Sequence, residues 1–314
     1  MWPAVAYHIL NVDRPKCILT CSRGQIICTD ADGGNKTSIP MEDVASIVIT
    51  SFLATLSTAL LAAAAKHGVS IVVCEAYQPV SIVLPANRST DTLLTRAHLK
   101  LKARARASLW QRTVNAKVRN QILLGAHLAP RHANLDKMAE ILASRSEHKE
   151  AIAARLYWSV YGESIGLPNF VRYQNLGGIN SLLNYGYAIL LSIVLQKLFA
   201  VGLDPTFGIF HVSREHATPL AYDLMEPFRP CVDSRVAEWS IMARRKPDPL
   251  EVDRPFRQWI TEFAIRRISY LNRTMELRSA VEEVIRSFRR AVMEQKPSLY
   301  LPWTPKASKW DGSW

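Results

Sequence analysis

The sequence predicts an α+β protein, with a small β-rich unit over residues 1–91 followed by a larger, all-helical unit over residues 92–314. Three observations predict it. Up to about residue 92 the apolar segments are short, β-branched and bounded by Gly, Pro, Asp or Asn, as strands are. Beyond that point they lengthen and take on a 3.6-residue period, as helices do. Between the two, Pro85-Ala-Asn-Arg-Ser-Thr-Asp91 is polar and rich in turn formers, which makes it the expected linker.

In the first unit strands are expected at Val5–Leu10, Cys17–Cys21, Gln25–Thr29, Ser46–Thr50 and Ser70–Cys74. One alanine-rich helix, Ala54–His67, interrupts them and is ended by Gly68. In the second unit helical periodicity runs through Leu93–Leu124, Leu135–Tyr161, Ile179–Val201 and Val252–Glu294. The oiliest stretch, Ala188–Val201, is short of a bilayer span and carries Gln196 and Lys197, so it reads as a core helix. The closing segment from Lys296 places Trp303, Trp310 and Trp314 among prolines and glycines. It is expected to be irregular, its aromatics either docked on the fold or loose.

With 314 residues and 48% of them apolar, the chain is expected to be a soluble globular protein of about two domains. No basic-then-apolar leader opens it, and its five cysteines contain no C-x-x-C pair. A zinc ribbon and a complete disulfide framework are therefore not indicated, and reduced thiols in a cytoplasm are the simplest expectation. No G-x-x-x-x-G-K-[ST] loop is present, which argues against nucleoside triphosphate hydrolysis.

Net charge is +12, and its distribution says more than its size. Between Asp91 and Asp136 there is no acidic residue, while Arg96, Lys100, Lys102, Arg104, Arg106, Arg112, Lys117, Arg119 and Arg131 fall inside the gap. A solvated helix face would ordinarily carry acids as i,i+4 partners; their absence favours phosphates, and hence DNA. Arg104, Arg106 and Arg112 are the candidate DNA contacts.

Four acidic or imidazole groups stand where a charge needs a reason. Glu150 shares a helical face with Ala154, Tyr157 and Tyr161, although an exposed glutamate favoured by the helix dipole would look the same. His211 ends the strand-like run Phe207-Gly-Ile-Phe210, where a satisfied core histidine is the ordinary alternative. Asp223 and Glu226 have the spacing of a capping box, which would also hold two carboxylates rigidly at a helix start. One imidazole with carboxylates is a ligand set for Mg²⁺ or Mn²⁺.

The words around these residues carry a resemblance. Glu150-Ala-Ile-Ala-Ala-Arg-Leu-Tyr-Trp158, Gly202-Leu-Asp-Pro-Thr-Phe-Gly-Ile-Phe-His211 and Leu220-Ala-Tyr-Asp-Leu-Met-Glu-Pro-Phe-Arg-Pro230, in that order, resemble the CRISPR-associated spacer-acquisition integrase family, the first Cas protein of adaptation modules. Leu109-Trp-Gln-Arg-Thr-Val-Asn-Ala-Lys-Val-Arg-Asn-Gln121 and Gly178-Ile-Asn-Ser-Leu-Leu-Asn-Tyr-Gly-Tyr187 are most similar to its type II members. The resemblance is strong over residues 100 to 235, general over the first hundred and slight past Asp233.

It implies a DNA endonuclease and integrase that inserts short foreign fragments into a CRISPR array, the fragment's 3′ hydroxyl attacking a phosphodiester at the repeat boundary. It implies Glu150, His211 and Glu226 as ligands of Mg²⁺ or Mn²⁺, with Asp223 beside them in the catalytic set. Arg229 would then lie near a phosphate, with Tyr187 and Tyr222 against DNA. The implied partners are double-stranded DNA, a second copy of the chain joined through the N-terminal units, and the second Cas protein of the adaptation complex. A metal-dependent nuclease or a transposon-borne integrase would use the same residues. A non-catalytic basic DNA-binding scaffold would need none of them.

Overall fold

A computed structural model describes residues 8–75, 77–83, 91–144, 146, 148–173, 177–212, 217–243, 250–305 and 310. The N-terminal unit holds two four-stranded sheets. The first has the order β1 (His8–Val12), β5 (Val44–Ile49), β7 (Ser70–Glu75), β8 (Gln78–Val83), with the first three parallel and β8 antiparallel. The second has the order β4 (Lys36–Pro40), β3 (Gln25–Asp30), β2 (Cys17–Ser22), β6 (Thr55–Leu56). Helix α1 (Thr58–Lys66) links β6 to β7; Ser57 caps it by accepting from the Leu60 N–H.

β5 and β7 read as unbroken apolar runs because both faces of their sheet are covered. Ile47, Ile49 and Ile71 face the N-terminal core with Leu60 of α1. Val48, Val72 and Cys74, one residue out of phase, pack on Ala188 of the helical unit. The missed strands β4, β6 and β8 are short or polar edges, and β8 carries Pro79. Such edges lack the alternation that marks a half-buried strand. The expected strand Val5–Leu10 begins outside the described residues, as do Pro85 to Thr90 of the expected linker. Asp91 caps the next helix through the N–H groups of Leu93 and Leu94.

Two long periodic segments prove to be pairs of helices. Leu93–Leu124 divides into α2 (Thr92–Leu99) and α3 (Ala103–Leu128), and Leu135–Tyr161 into α4 (Asn134–Ala143) and α5 (Lys149–Ser164). The first break, at Lys100-Leu-Lys102, contains no Gly or Pro; Leu101 is buried at the corner, so packing rather than local propensity makes it. Helix α6 (Ile179–Ala200) is the expected core helix, though longer than its oiliest run suggested. It is long and apolar enough to cross a membrane, yet 83% of its most apolar window is buried within the fold. One side meets the sheet, where the Ser46 and Ser192 hydroxyls are 2.9 Å apart; other helices cover the rest.

After α7 (Pro219–Met225), a 3₁₀ turn at Glu226–Phe228 and α8 (Arg229–Ala243), the segment Val252–Glu294 corrects the expectation of an all-helical unit. It forms α9 (Arg254–Thr261), a hairpin of β9 (Arg267–Tyr270) and β10 (Arg273–Glu276), and α10 (Leu277–Met293). The hairpin turns at Leu271 and Asn272, both with positive φ, the backbone of a type I′ turn. Alternation within β9 puts Ile268 and Tyr270 in the core. The tail is docked as far as it is described. Trp303 is fully buried and stacked on Phe228 at 5.5 Å, and Trp310 meets Trp303 edge-on. Trp314 lies outside the described residues.

Candidate active site

Glu150, in the first turn of α5, and Glu226, opening the 3₁₀ turn after α7, come from distant parts of the chain and meet at one cation, Lys117 of α3. Lys117 Nζ lies 2.7 Å from Glu150 Oε1 and 2.5 Å from Glu226 Oε2. Arg229 Nε adds a contact of 2.8 Å to Glu226 Oε1. The Glu226 side chain is 3% exposed, that of Glu150 29%. Burial alone would raise the Glu226 pKa; Arg229 and then Lys117 outweigh it and hold the group at about 2. Lys117 is likewise pushed down by burial and drawn back above its ordinary value by Glu226 and Glu150.

His211 and Asp223 form the adjoining half of the site. The run Phe207–Phe210 is not a strand but an irregular turn, and the fully buried Asp223 carboxylate organises it. Its Oδ2 accepts from the N–H groups of Ile209 (2.6 Å) and Phe210 (3.2 Å), and its Oδ1 from that of His211 (3.2 Å). Oδ1 also lies 2.7 Å from Nδ1 of the His211 ring. The turn closes so tightly that a Cβ on Gly208 would strike the His211 carbonyl and come within 2.9 Å of Asp223 Oδ2. Burial lowers the imidazole pKa, but the Asp223 hydrogen bond and charge outweigh it and raise the pKa above the usual histidine value. With Nδ1–H donated to Asp223, the network assigns the tautomer whose lone pair is on Nε2, the orientation of a metal-binding histidine.

The capping-box expectation for Asp223 and Glu226 is therefore corrected. Thr218 precedes α7, Asp223 lies inside that helix, and its carboxylate caps the preceding turn instead. The backbone fold of residues 208–211, invisible in a three-residue spacing, offered it three N–H donors.

Among the described residues no three His, Cys, Asp or Glu side chains are gathered closely enough to hold a metal as they stand. The structure instead shows two linked pairs, Glu150 with Glu226 on Lys117 and His211 with Asp223, and electrostatic coupling between His211 and Glu226. The donor chemistry fits Mg²⁺ or Mn²⁺. Glu226 Oε2 is buried and touches Lys117 without hydrogen-bond geometry, so a carboxylate lone pair remains for a harder cation.

The DNA-contact candidates separate. Arg104 is exposed on α3, and Arg106 reaches the Gly208 carbonyl of the His211 turn at 3.4 Å. Arg112 is tied to the tail, donating to the Tyr300 (2.8 Å) and Ser298 (3.2 Å) carbonyls. Tyr187 is buried, its hydroxyl 2.5 Å from Asp233 Oδ1 and its ring beneath Arg229 at 4.6 Å. That position corrects its assignment as a tyrosine lying against DNA. Tyr222 is half-buried beside the His211 ring, and Arg229 is split between Glu226 and the Tyr187 face.

Sequence reasoning missed Lys117 as the hub, although it lies in the quoted α3 motif. It also missed Trp110, whose ring stacks on Phe210 at 4.3 Å and nearly parallel, while Phe210 stays 56% exposed. A third omission is Asp233, which accepts from the Tyr157 hydroxyl at 2.7 Å as well as from Tyr187. Its position next to the apolar Val232 gave no signal of a hydroxyl network.

Residues 10–251 match the family of the CRISPR associated protein Cas1. The chain is 28% identical over 284 residues to a CRISPR-associated endonuclease Cas1 of Neisseria meningitidis serogroup C (strain 8013), covering 88% of this chain and 90% of that one. Its fold is similar to that of a CAS1 protein from Thermotoga maritima (TM-score 0.76, 16% identity, 91% of this chain and 97% of that chain). It is also similar to a casposase bound to integration product (TM-score 0.72, 18% identity, 92% and 91%).

Proposed function

Because the chain belongs to the CRISPR associated protein Cas1 family, we propose that it is a divalent-metal-dependent DNA endonuclease and integrase that inserts short foreign fragments into a CRISPR array. The observation that carries this reading is the meeting of Glu150 and Glu226 at one cation, beside a histidine whose ring is fixed by a buried aspartate. Glu150, Glu226 and Nε2 of His211 would hold Mg²⁺ or Mn²⁺, with Lys117 giving up its central place. When bound, the cation supplies activation of the attacking 3′ hydroxyl and screens charge on the phosphorane-like transition state.

The remaining roles belong to the chain. Asp223 keeps the imidazole in one tautomer and one orientation. Arg229, steadied by the Tyr187 face, keeps guanidinium donors beyond its Glu226 contact for a phosphate oxygen. Arg104 and Arg106 would guide the backbone towards the site, and the open face of Phe210 suits an unpaired base. Exchange of one phosphodiester for another is nearly isoenergetic, so nucleotide hydrolysis is not needed. The partners implied are fragment and array DNA, a second copy of the chain and the second Cas protein.

A transposon-borne integrase is the second reading, favoured by the likeness in fold to the casposase. A strand-transfer assay tests both, using a labelled fragment with plasmids carrying either a repeat array or terminal inverted repeats, with and without Mn²⁺. The proposal expects Mn²⁺-dependent joining at repeat boundaries, lower by about 10²–10³-fold in Glu150→Gln, as for loss of one electrostatic stabiliser of the transition state. Joining confined to inverted repeats would favour the second reading.

A further inference from the structure

The basic stripe of α3 faces two ways. At 3.6 residues per turn, Lys117 and Arg119 point about 160° apart, whereas Arg112 and Arg119 differ by only about 20°. Arg106, Trp110 and Lys117 serve the active-site side. Arg112 and Arg119 open instead into a separate cavity of about 670 Å³. Its walls are Asn115 and the two arginines of α3, Ser269, Leu271 and Asn272 of the β9–β10 hairpin, and the docked tail from Leu301 to Pro305.

Three properties of this cavity point the same way. Among the described residues no acidic side chain lines it. Arg119 is exposed and enters no hydrogen bond or ion pair among the described residues, whereas Arg112 beside it is committed to the Tyr300 and Ser298 carbonyls. At the rim, Leu271 occupies a type I′ turn position with φ 47° and is 56% exposed. Gly, Asn or Asp is the ordinary occupant there; a bulky apolar residue costs stability in that backbone and buries little surface in return. Local folding therefore does not explain Leu271.

We propose that this cavity and hairpin tip form a second DNA-binding surface, on the side of α3 away from the catalytic carboxylates, which takes the phosphate backbone of a duplex. Arg119 receives the phosphate, with Asn115 and Asn272 as neutral donors. Leu271 lies along the adjoining groove, which is wide enough on its major side to admit a two-stranded β ribbon. Charge selects the occupant: a cavity with two arginines and no acid among its described lining residues, in a chain of net charge +12, suits a polyanion. The inference rests on the DNA-integrase reading and extends it, since strand transfer brings two DNAs to one catalytic site and each needs backbone contacts beyond it.

The test is fluorescence anisotropy of the full chain with a labelled blunt duplex several helical turns long, across a salt series. Arg119→Glu should weaken binding about ten-fold near physiological salt and reduce the slope of log K against log salt by about 0.9, one phosphate contact. Lys66→Glu, the same charge change at the end of α1, should leave the slope as in wild type. Leu271→Gly should weaken binding while leaving the melting temperature equal or higher, an opposition that a purely structural leucine would not produce. Wild-type affinity and slope in Arg119→Glu would overturn the second surface alone. If the wild-type chain bound no duplex, the DNA reading itself would fall. Glu150→Gln should bind duplex as wild type does and lose strand transfer, which keeps the two sites distinguishable.

Discussion

Glu226 and Asp233 are both buried and only two helical turns apart, yet the protein drives their carboxyl groups in opposite directions. Around Glu226 the charges of Arg229 and Lys117 overcome burial and hold the pKa at about 2. Around Asp233 burial dominates; the hydroxyls of Tyr187 and Tyr157 and the more distant arginines offset only part of it, leaving the pKa raised to about 6. The difference lies in the partners, cations in contact in one case and neutral donors in the other. Glu226 is thus held as an anion between Lys117 and Arg229. Asp233 orients hydroxyls and, through Tyr187, supports Arg229 from beneath.

Removing each carboxylate should break the two regions differently. Glu226→Ala strands Lys117 and Arg229 without their partner, and a buried pair broken from one side costs about 3–5 kcal/mol, which urea denaturation would read. Asp233→Ala strands two buried tyrosine hydroxyls, at about 1–3 kcal/mol each, and should leave cation binding in place. If Asp233→Ala proved the more damaging to cation binding, the division of roles would be wrong.

Acidity sharpens the contrast. Asp233 binds its proton more tightly in the folded chain than in the unfolded one. Its contribution is therefore fully present below about pH 4 and lost as pH rises through about 6, for a total of about 3 kcal/mol. Glu226 has the opposite sign, stabilising above about pH 4.5 and losing that contribution as pH falls towards 2. The stability of Asp233→Asn relative to wild type should thus rise between pH 4 and pH 8. A flat difference over that range would remove the raised carboxyl from the account.

The smallest effect separates exposed from committed arginines. Arg104→Ala should lower the salt slope of duplex binding by about 0.9 or less. Arg112→Ala should act chiefly by loosening the tail it holds through Tyr300 and Ser298, seen as faster proteolysis near Trp303. Equal slopes for Arg104→Ala and wild type would return Arg104 to the solvated face.

What was legible in the sequence follows from the range of the forces involved. β5 and β7 could be found because burial on both faces demands unbroken apolar runs, and α6 because a core helix is apolar all round. The corner at Leu101 and the β9–β10 hairpin were hidden, since tertiary packing rather than Gly or Pro makes the first and Leu271 is an unusual turn residue. In the site, Glu150, His211, Asp223 and Glu226 were marked by their apolar surroundings and by family resemblance. Lys117 was lost among nine basic residues on one stretch, because which face of α3 it serves depends on where α5 and the 3₁₀ turn dock. Asp223 was given the wrong geometry for the same reason, its donors arriving from a turn that the spacing does not encode.

The central claim is that Glu150, Glu226 and His211 hold one divalent cation at the place Lys117 now occupies. Mn²⁺ binding followed by electron paramagnetic resonance tests it without recourse to activity. The account predicts one saturable Mn²⁺ per wild-type chain, lost in Glu150→Gln and in Glu226→Gln, retained in Asp233→Asn and tighter in Lys117→Met, where the competing ammonium is gone. Equal Mn²⁺ uptake by wild type and both glutamate variants would contradict it.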